Sequence, residues 1–399
     1  MVKKIFRRHG HRFMLAGLLL TALLLTGTIL LYKGLGWQAD FEITDDLGGS
    51  IFPSAILSTA TTDALIVKPT DTLYVGNPKS VISIRLQCPQ PNSRVRIEVS
   101  ETPFFRNSVS EFILPRKGAT YTIYPDMIWN YEALRGNDMA EPVSVAVQVK
   151  INDQKPTHRV RTFSVRSINE CLLGYVGGDN KYHSTAVFFA AYVNEENPLI
   201  DEILREALNT GIVNRFSGYQ SKQSGSVDKQ VYALWHVLQK RRFRYSSISY
   251  SSLSSNLVFS QRVRTFEDAL KSSQVNCVDG SVLFASLLRS INIDPVLVRL
   301  PGHMFVGYYT DVKHGDIHFL ETTMIGDIDL ETLFPEIGTD STAVKQSQND
   351  LSHLSFEKSK AYAHRKYEAQ KENFGADKRN YMFLEISRDI RRIIQPIGK

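Results

Sequence analysis

Three residues in the second half of the chain carry side chains able to do nucleophilic chemistry together: Cys277 in "QVNCVDGSVLFASLL", His303 in "RLPGHMFVGYY" and Glu321 in "FLETT". A free thiol titrates near pH ~8.5 and only its thiolate attacks, so a working cysteine needs a neighbour that favours the anion. Asn276 is a good N-cap and Asp279 follows three residues later, the spacing of a capping box that puts Cys277 in a first helical turn. The positive helix end favours an anion by only about 0.3–1 kcal/mol, and Asp279 adds an opposing charge nearby. An imidazole does more, pairing with the thiolate and later protonating the leaving group.

His303 follows Pro301 and Gly302 and opens a strand, so its ring stands at a strand end. Glu321 on the next strand can face it, fix its tautomer and steady the imidazolium, giving a triad in the order Cys277, His303, Glu321. A lone cysteine before an apolar helix reads first as a buried structural residue. The chemical reading of Cys277 rests on the residues 26 and 44 positions downstream.

A tetrahedral intermediate also needs hydrogen-bond donors, for which the Cys277 amide and Gln261 in "FSQRVRT" are the candidates, with Gln274, Tyr245 and Tyr250 behind them. The two tyrosines read first as loop aromatics packed on the core. His314, His318 and Glu321 raise a metal reading. On a strand His318 and Glu321 point to opposite faces, and "KHGD" is a turn, so no metal and no cofactor is expected.

The elements that must position these groups change character near residue 168. Between 41 and 168 the period is two, as in "VISIRLQC", "RVRIEVS" and "VSVAVQVKI", with Pro, Gly and Asn punctuation; this predicts an all-β, immunoglobulin-like sandwich serving structure or recognition. From 169 to 399 the period is helical: "PLIDEILREAL" and "VDKQVYALWHVL" carry apolar stripes, and Thr265 with Asp268 has cap spacing before another helix. "RYSSISYSSLSSNL" (244–257) reads as a loop that can line a groove. "QKRRFRY" (239–245) reads as a solvated helix end. Runs 295–300, 303–309 and 317–324 predict consecutive strands of one antiparallel sheet. Residues 335–378 are polar with weak helical patterning, and 381–397 predicts a helix burying Met382, Ile386, Ile390 and Ile393. The overall expectation is α+β.

The N-terminus sets the expected location. Residues 1–12 are basic, and 13–32 run twenty residues without a charge, enough for about 30 Å of helix and one bilayer crossing. The run is longer than a cleavable signal core, and "WQA" at 37–39 is a poor cleavage site, so an uncleaved signal anchor is expected, with the N-terminus cytoplasmic and the rest exported. The first 33 residues supply six basic and no acidic residues, which accounts for the whole net charge of +6. The remainder is balanced, which argues against nucleic acid as a partner. Three cysteines are an odd number for an exported chain: Cys88 and Cys171 are free to pair, leaving Cys277 as a single thiol.

A cysteine heading an apolar helix, a histidine opening one strand and an acid followed by Thr on the next resemble the core of the transglutaminase-like superfamily, whose fold is related to papain-type cysteine proteases. "NCVDGSVLFASLLRSINIDPVLVRLPGHMFVGYY" and "HFLETTM" carry the resemblance, within a core of 265–325. "HMF" stands where that family commonly has His-Ala-Trp, and Glu321 where it commonly has Asp. The resemblance implies Cys277 as nucleophile, His303 as base and Glu321 as orienting acid, acting on a peptide or carboxamide through a thioester resolved by water or an amine. The expectation is a membrane-anchored bacterial-type envelope enzyme with a peptide or protein substrate and a possible envelope partner on the sandwich. The alternative is a non-catalytic peptide-binding or structural protein that keeps the fold.

Overall fold

The computed structural model describes Thr21, Leu25, Thr26, residues 40–63, residues 73–246 except 222 and 224, Leu253, residues 255–327 and residues 342–398. The first unit is built from two sheets. One runs β1 (Phe41–Thr44), β4 (Ser83–Gln87), β8 (Thr120–Tyr124), β3 (Tyr74–Gly76). The other runs β2 (Ser50–Ile51), β11 (Thr157–Val165), β10 (Glu141–Ile151), β5 (Ser93–Val99), β7 (Ser108–Leu114), with a ribbon of β6 (Phe105–Arg106) and β9 (Ile128–Trp129) beside them. The alternation read from the sequence is the buried face: Val143, Val145, Val147, Val149 and Ile151 of β10 join Ile84, Leu86 and Ile123 in one core. The unit is not purely antiparallel or purely β. β2 pairs parallel with β11 and β3 parallel with β8, and helices Pro53–Thr59 and Tyr131–Gly136 are inserted.

The second unit begins at β12 (Glu170–Val176), which pairs with β13 (Tyr182–Ser184) and β15 (Val258–Arg262). The two units share their core. A buried ion pair of Arg166 with Glu170, at 2.7 and 3.0 Å, sits at the junction. The Ser54 hydroxyl donates to the Glu170 carbonyl, and the C-terminal segment returns so that the Gln395 amide donates to the Ser58 carbonyl.

A four-stranded antiparallel sheet dominates this unit, in the order β19 (Ile317–Leu320), β18 (His303–Tyr309), β17 (Pro295–Leu300), β20 (Met382–Glu385). The three expected strands are there, the last ending at Leu320. The helix expected over 381–397 is corrected: Met382–Glu385 is a strand paired with β17, and only Arg388–Ile393 is helical. Without that pairing β17, apolar on both faces, would be an open edge. Leu297, Met304, Val306, Tyr308 and Leu320 pack on the Cys277 helix side of the sheet. Val296, Val298, Phe305 and Phe319 pack with Ala363 on the other.

That second face is covered by the 27-residue helix Thr342–Glu368. Its inward stripe is Gln348, Ser352, Ser355, Phe356, Ser359 and Ala363, mostly small polar residues, so hydrophobic periodicity is faint there. The serines are satisfied by specific partners, Ser352 donating to the Gln239 side chain at 2.6 Å and Ser355 accepting from it at 3.2 Å.

The membrane expectation is corrected. Residues 13–32 lie outside the described residues except at Thr21, Leu25 and Thr26, and among the described residues no helix is long and apolar enough to cross a membrane. The longest described helix, Thr342–Glu368, carries Lys360, Arg365 and Lys366 along its length and lies on the sheet. The N-terminal transmembrane helix of the expected fold, and the single-pass membrane location with it, are set aside. The pairing left open by the sequence is decided: Cys88, Cys171 and Cys277 are all free, the first two being buried. Cys88 directs its thiol to the carbonyls of Gln90 and Leu114, and Cys171 to that of Leu172.

Candidate active site

The helix Cys277–Ser290 starts as the sequence dictates. Asn276 Oδ1 accepts from the amides of Val278 and Asp279, both at 2.8 Å, and Asp279 Oδ2 accepts from the Asn276 amide at 3.4 Å. This capping box uses the amides on both sides of Cys277 and leaves the Cys277 amide without an acceptor among the described residues. The charge of Asp279 is met by Arg264, whose Nη1 lies 2.6 Å from Oδ2 and whose amide donates to Oδ1 at 2.8 Å. Burial nevertheless pushes the Asp279 carboxyl up from its ordinary value, against these contacts. The acid next to Cys277 is therefore a structural, neutralised group.

Pro301 and Gly302 make the tight link between β17 and β18. Leu300 pairs with His303 across it, and Gly302 has φ +69°, the left-handed conformation that a turn of Pro-Gly type requires. His303 is thus the first residue of β18, its side chain about one-fifth exposed. His303 Nε2 lies 2.6 Å from Glu321 Oε2. Cys277 is part-buried and near enough to act on the imidazole's titration, and with Nε2 engaged by Glu321, Nδ1 is the ring nitrogen left for the thiol. Burial would lower the imidazole pKa. The hydrogen bonds to Cys277 and then Glu321, with the charges of both, outweigh it and raise His303 to about 9.

Glu321 is buried just past the end of β19. Its Oε1 accepts from the Thr323 hydroxyl at 2.7 Å, and Lys366 Nζ stands 3.9 Å from Oε2. Burial would raise the carboxyl, but His303 by hydrogen bond and charge, then Thr323 and Lys366, hold it below its ordinary value. Its backbone is fixed by Ser359, which accepts from the Glu321 amide at 2.9 Å and donates to the Glu321 carbonyl at 3.1 Å. The acid is held from the helix that covers the far face of the sheet.

The two halves meet at Gly280. A side chain there would put its Cβ 2.7 Å from Thr322 Oγ1, so the absence of one lets Thr322–Asp327 lie against the first turn of the Cys277 helix.

The other sequence candidates separate. Gln261 lies on β15 with its side-chain amide donating to the Arg262 carbonyl at 3.1 Å; the cleft that it lines has neither Cys277 nor His303 in its wall. Gln274 forms the short β16 (Gln274–Val275), exposed, its carbonyl accepting from Arg264. β16 pairs parallel with β14 (Arg244–Tyr245), which puts Tyr245 opposite Val275, two residues before Cys277. Tyr245 is half exposed, so it is not a core aromatic. Burial, and then the charges of Cys277 and Glu321, raise its hydroxyl above the ordinary value, which keeps it a donor at neutral pH. Tyr250 lies outside the described residues.

The three metal candidates diverge. His314 stacks on Tyr309 at 3.8 Å and meets Asp294 at 3.1 Å, His318 bonds Asp228 at 2.8 Å, and Glu321 holds His303. Among the described residues no group of three ligating side chains converges on one point. The basic run holds a helix end, with Arg241 paired to Glu202 and Glu206 at 2.8 and 2.7 Å.

Sequence reasoning missed Thr323, Ser359 and Lys366. Thr323 had a signal in its position two residues after the acid, the reach of a local side-chain bond. Ser359 and Lys366 had none. A scan against protein-family models and a search of curated proteins both returned no match, so the resemblance to the transglutaminase-like superfamily rests on these residues alone.

Proposed function

We propose that this chain is a cysteine acyl-transfer enzyme of transglutaminase-like type, acting on a peptide or carboxamide carbonyl. The observation that carries the reading is the 2.6 Å bond between His303 Nε2 and the buried Glu321, on an imidazole whose titration Cys277 also shifts. The Cys277 sulfur attacks the carbonyl carbon and the carbonyl oxygen takes up the negative charge. The Cys277 amide, which has no acceptor among the described residues, and the Tyr245 hydroxyl, on the strand paired with Val275, are the candidate donors to that oxyanion. His303 gives its proton to the departing amine and the C–N bond breaks, leaving a thioester. Water or a second amine, deprotonated by His303, then attacks the thioester and expels the Cys277 thiolate. Glu321 keeps the imidazole in the useful tautomer and balances its charge.

Intact-protein mass spectrometry with an electrophilic glutamine-type or peptide-type probe tests this directly. One adduct at Cys277, lost in His303→Ala, is expected. Equal labelling of wild type and His303→Ala would leave a peptide-binding module as the better account.

A further inference from the structure

A second cleft, separate from the cysteine, gathers two arginines. Arg299 on β17 donates through Nη1 to the Arg379 carbonyl at 2.8 Å. The Arg379 guanidinium lies over the Phe259 ring, 4.4 Å from its centre, and 5.8 Å from that of Tyr182. With Gln261 and Asn380 these residues line a cleft of about 340 Å³ where β15 approaches the β17–β20 edge.

Neither guanidinium has a carboxylate within ion-pair distance among the described residues. The acid whose field reaches both is Asp377, and its oxygens are occupied: Oδ2 accepts from the Asn380 side chain at 2.8 Å, and Oδ1 from the amides of Arg379 and Asn380 at 3.1 and 3.2 Å. Arg299 is part-buried and disfavoured by that burial. Two like charges drawn into one cleft with no carboxylate in contact, and only Asp377 acting at longer range, cost stability, and planar guanidinium forks match the paired oxygens of a carboxylate or phosphate. Phe259 and Tyr182 beside them offer ring faces to the body of a ligand.

We propose that this cleft binds an oxyanion group, carboxylate or phosphate, between Arg299 and Arg379, with the ligand body against Phe259 and Tyr182. The site does not depend on the chemistry of Cys277. Its ligand carries negative charge whether or not the cysteine turns over.

Calorimetric titration of the full chain with inorganic phosphate, and separately with N-acetylphenylalanine, tests it. Saturable binding of at least one probe is expected, with Kd of about 1 mM or tighter, weakened at least about tenfold in Arg379→Gln through loss of a charge-assisted contact. Arg262→Gln, a change to a neighbouring exposed arginine on β15, should bind as wild type. Phosphate alone binding would assign a phosphate ligand, and N-acetylphenylalanine alone an organic carboxylate. If Arg379→Gln loses its fold, the bound probe should still slow phenylglyoxal modification of Arg379 in the wild type. No saturable binding of either probe, or binding that Arg379→Gln leaves intact and that gives Arg379 no protection, overturns the proposal.

Discussion

His303 Nε2 lies 2.6 Å from one oxygen of Glu321, while the other oxygen of the same carboxylate accepts from the Thr323 hydroxyl at 2.7 Å. Both oxygens are used, so the carboxylate cannot rotate without losing a bond, and the imidazole is held from behind. Glu321→Gln keeps the shape but removes the charge that steadies the imidazolium. We expect kcat of the proposed acyl transfer to fall by about 10²–10⁴-fold, with the melting temperature lowered as well at pH values where the wild-type pair is charged. Thr323→Ala should fall less, by about tenfold, because the carboxylate keeps its charge and one bond. Steady-state kinetics of the two variants on one amide substrate checks both.

The thiols should separate cleanly. Cys88 and Cys171 are buried, and burial pushes the Cys171 thiol well above its ordinary value, so neither should react in the folded protein. One equivalent of iodoacetamide is expected to enter the native chain at Cys277, none in Cys277→Ala, and three under denaturing conditions. Peptide mapping by mass spectrometry reads the site, and fast native labelling of Cys88 or Cys171 would contradict the packing.

Stability should depend on pH through the same pair. His303 is raised from 6.5 to about 9 on folding, so its contribution is full below pH 6.5 and disappears as pH rises through about 9. Glu321 is lowered from 4.5, so its contribution is full above pH 4.5 and is lost as pH falls through the depressed value. The melting temperature of His303→Gln should therefore fall furthest below wild type between pH 4.5 and 6.5, and the two curves should converge above about pH 9. A constant gap across that range would show that the pair does not titrate as described.

Gly280 and Thr322 set how closely the cysteine and the acid approach. The methyl of Gly280→Ala would fall 2.7 Å from Thr322 Oγ1 and 3.1 Å from its Cβ, and such overpacking costs about 1–3 kcal/mol. Activity should drop more than stability, since the displaced segment begins at Thr322, directly after Glu321. Thr322→Ala in the same chain removes the nearer clash and should restore part of both, a coupling that a double-mutant cycle measures.

Tyr245→Phe deletes a hydroxyl and keeps the ring. If that hydroxyl holds the oxyanion, kcat falls by about 10²–10³-fold while KM and the iodoacetamide rate of Cys277 stay near wild type. A change in KM alone would give Tyr245 a role in binding instead.

Local chemistry was enough to read from the sequence wherever a side chain acts on its own neighbourhood. The N-cap of Asn276, the turn at Pro301 and Gly302, the strand starting at His303 and the alternating face of β10 all follow from interactions within a few residues, which spacing records directly. The order Cys277, His303, Glu321 was legible for the same reason: each residue sits at the end of an element whose period is plain. The covering helix was not, because its buried stripe is serine rather than leucine, and serine reads as polar until its partner is known. Met382–Glu385 was mistaken for helix because four residues fit either period, and its strand pairing with β17 is 80-odd residues away in the chain.

The sequence by itself determined which residues could be nucleophile, base and acid, and on what elements they ride. Only the tertiary structure decided that Glu321 is anchored by Ser359 and Thr323, that Arg264 neutralises the acid beside Cys277, that Tyr245 and not Gln261 stands near the thiol, and that Arg299 meets Arg379. Those are contacts between segments distant in sequence. Their energy depends on burial and mutual distance, and neither quantity exists until the sheet and its two covering helices have packed.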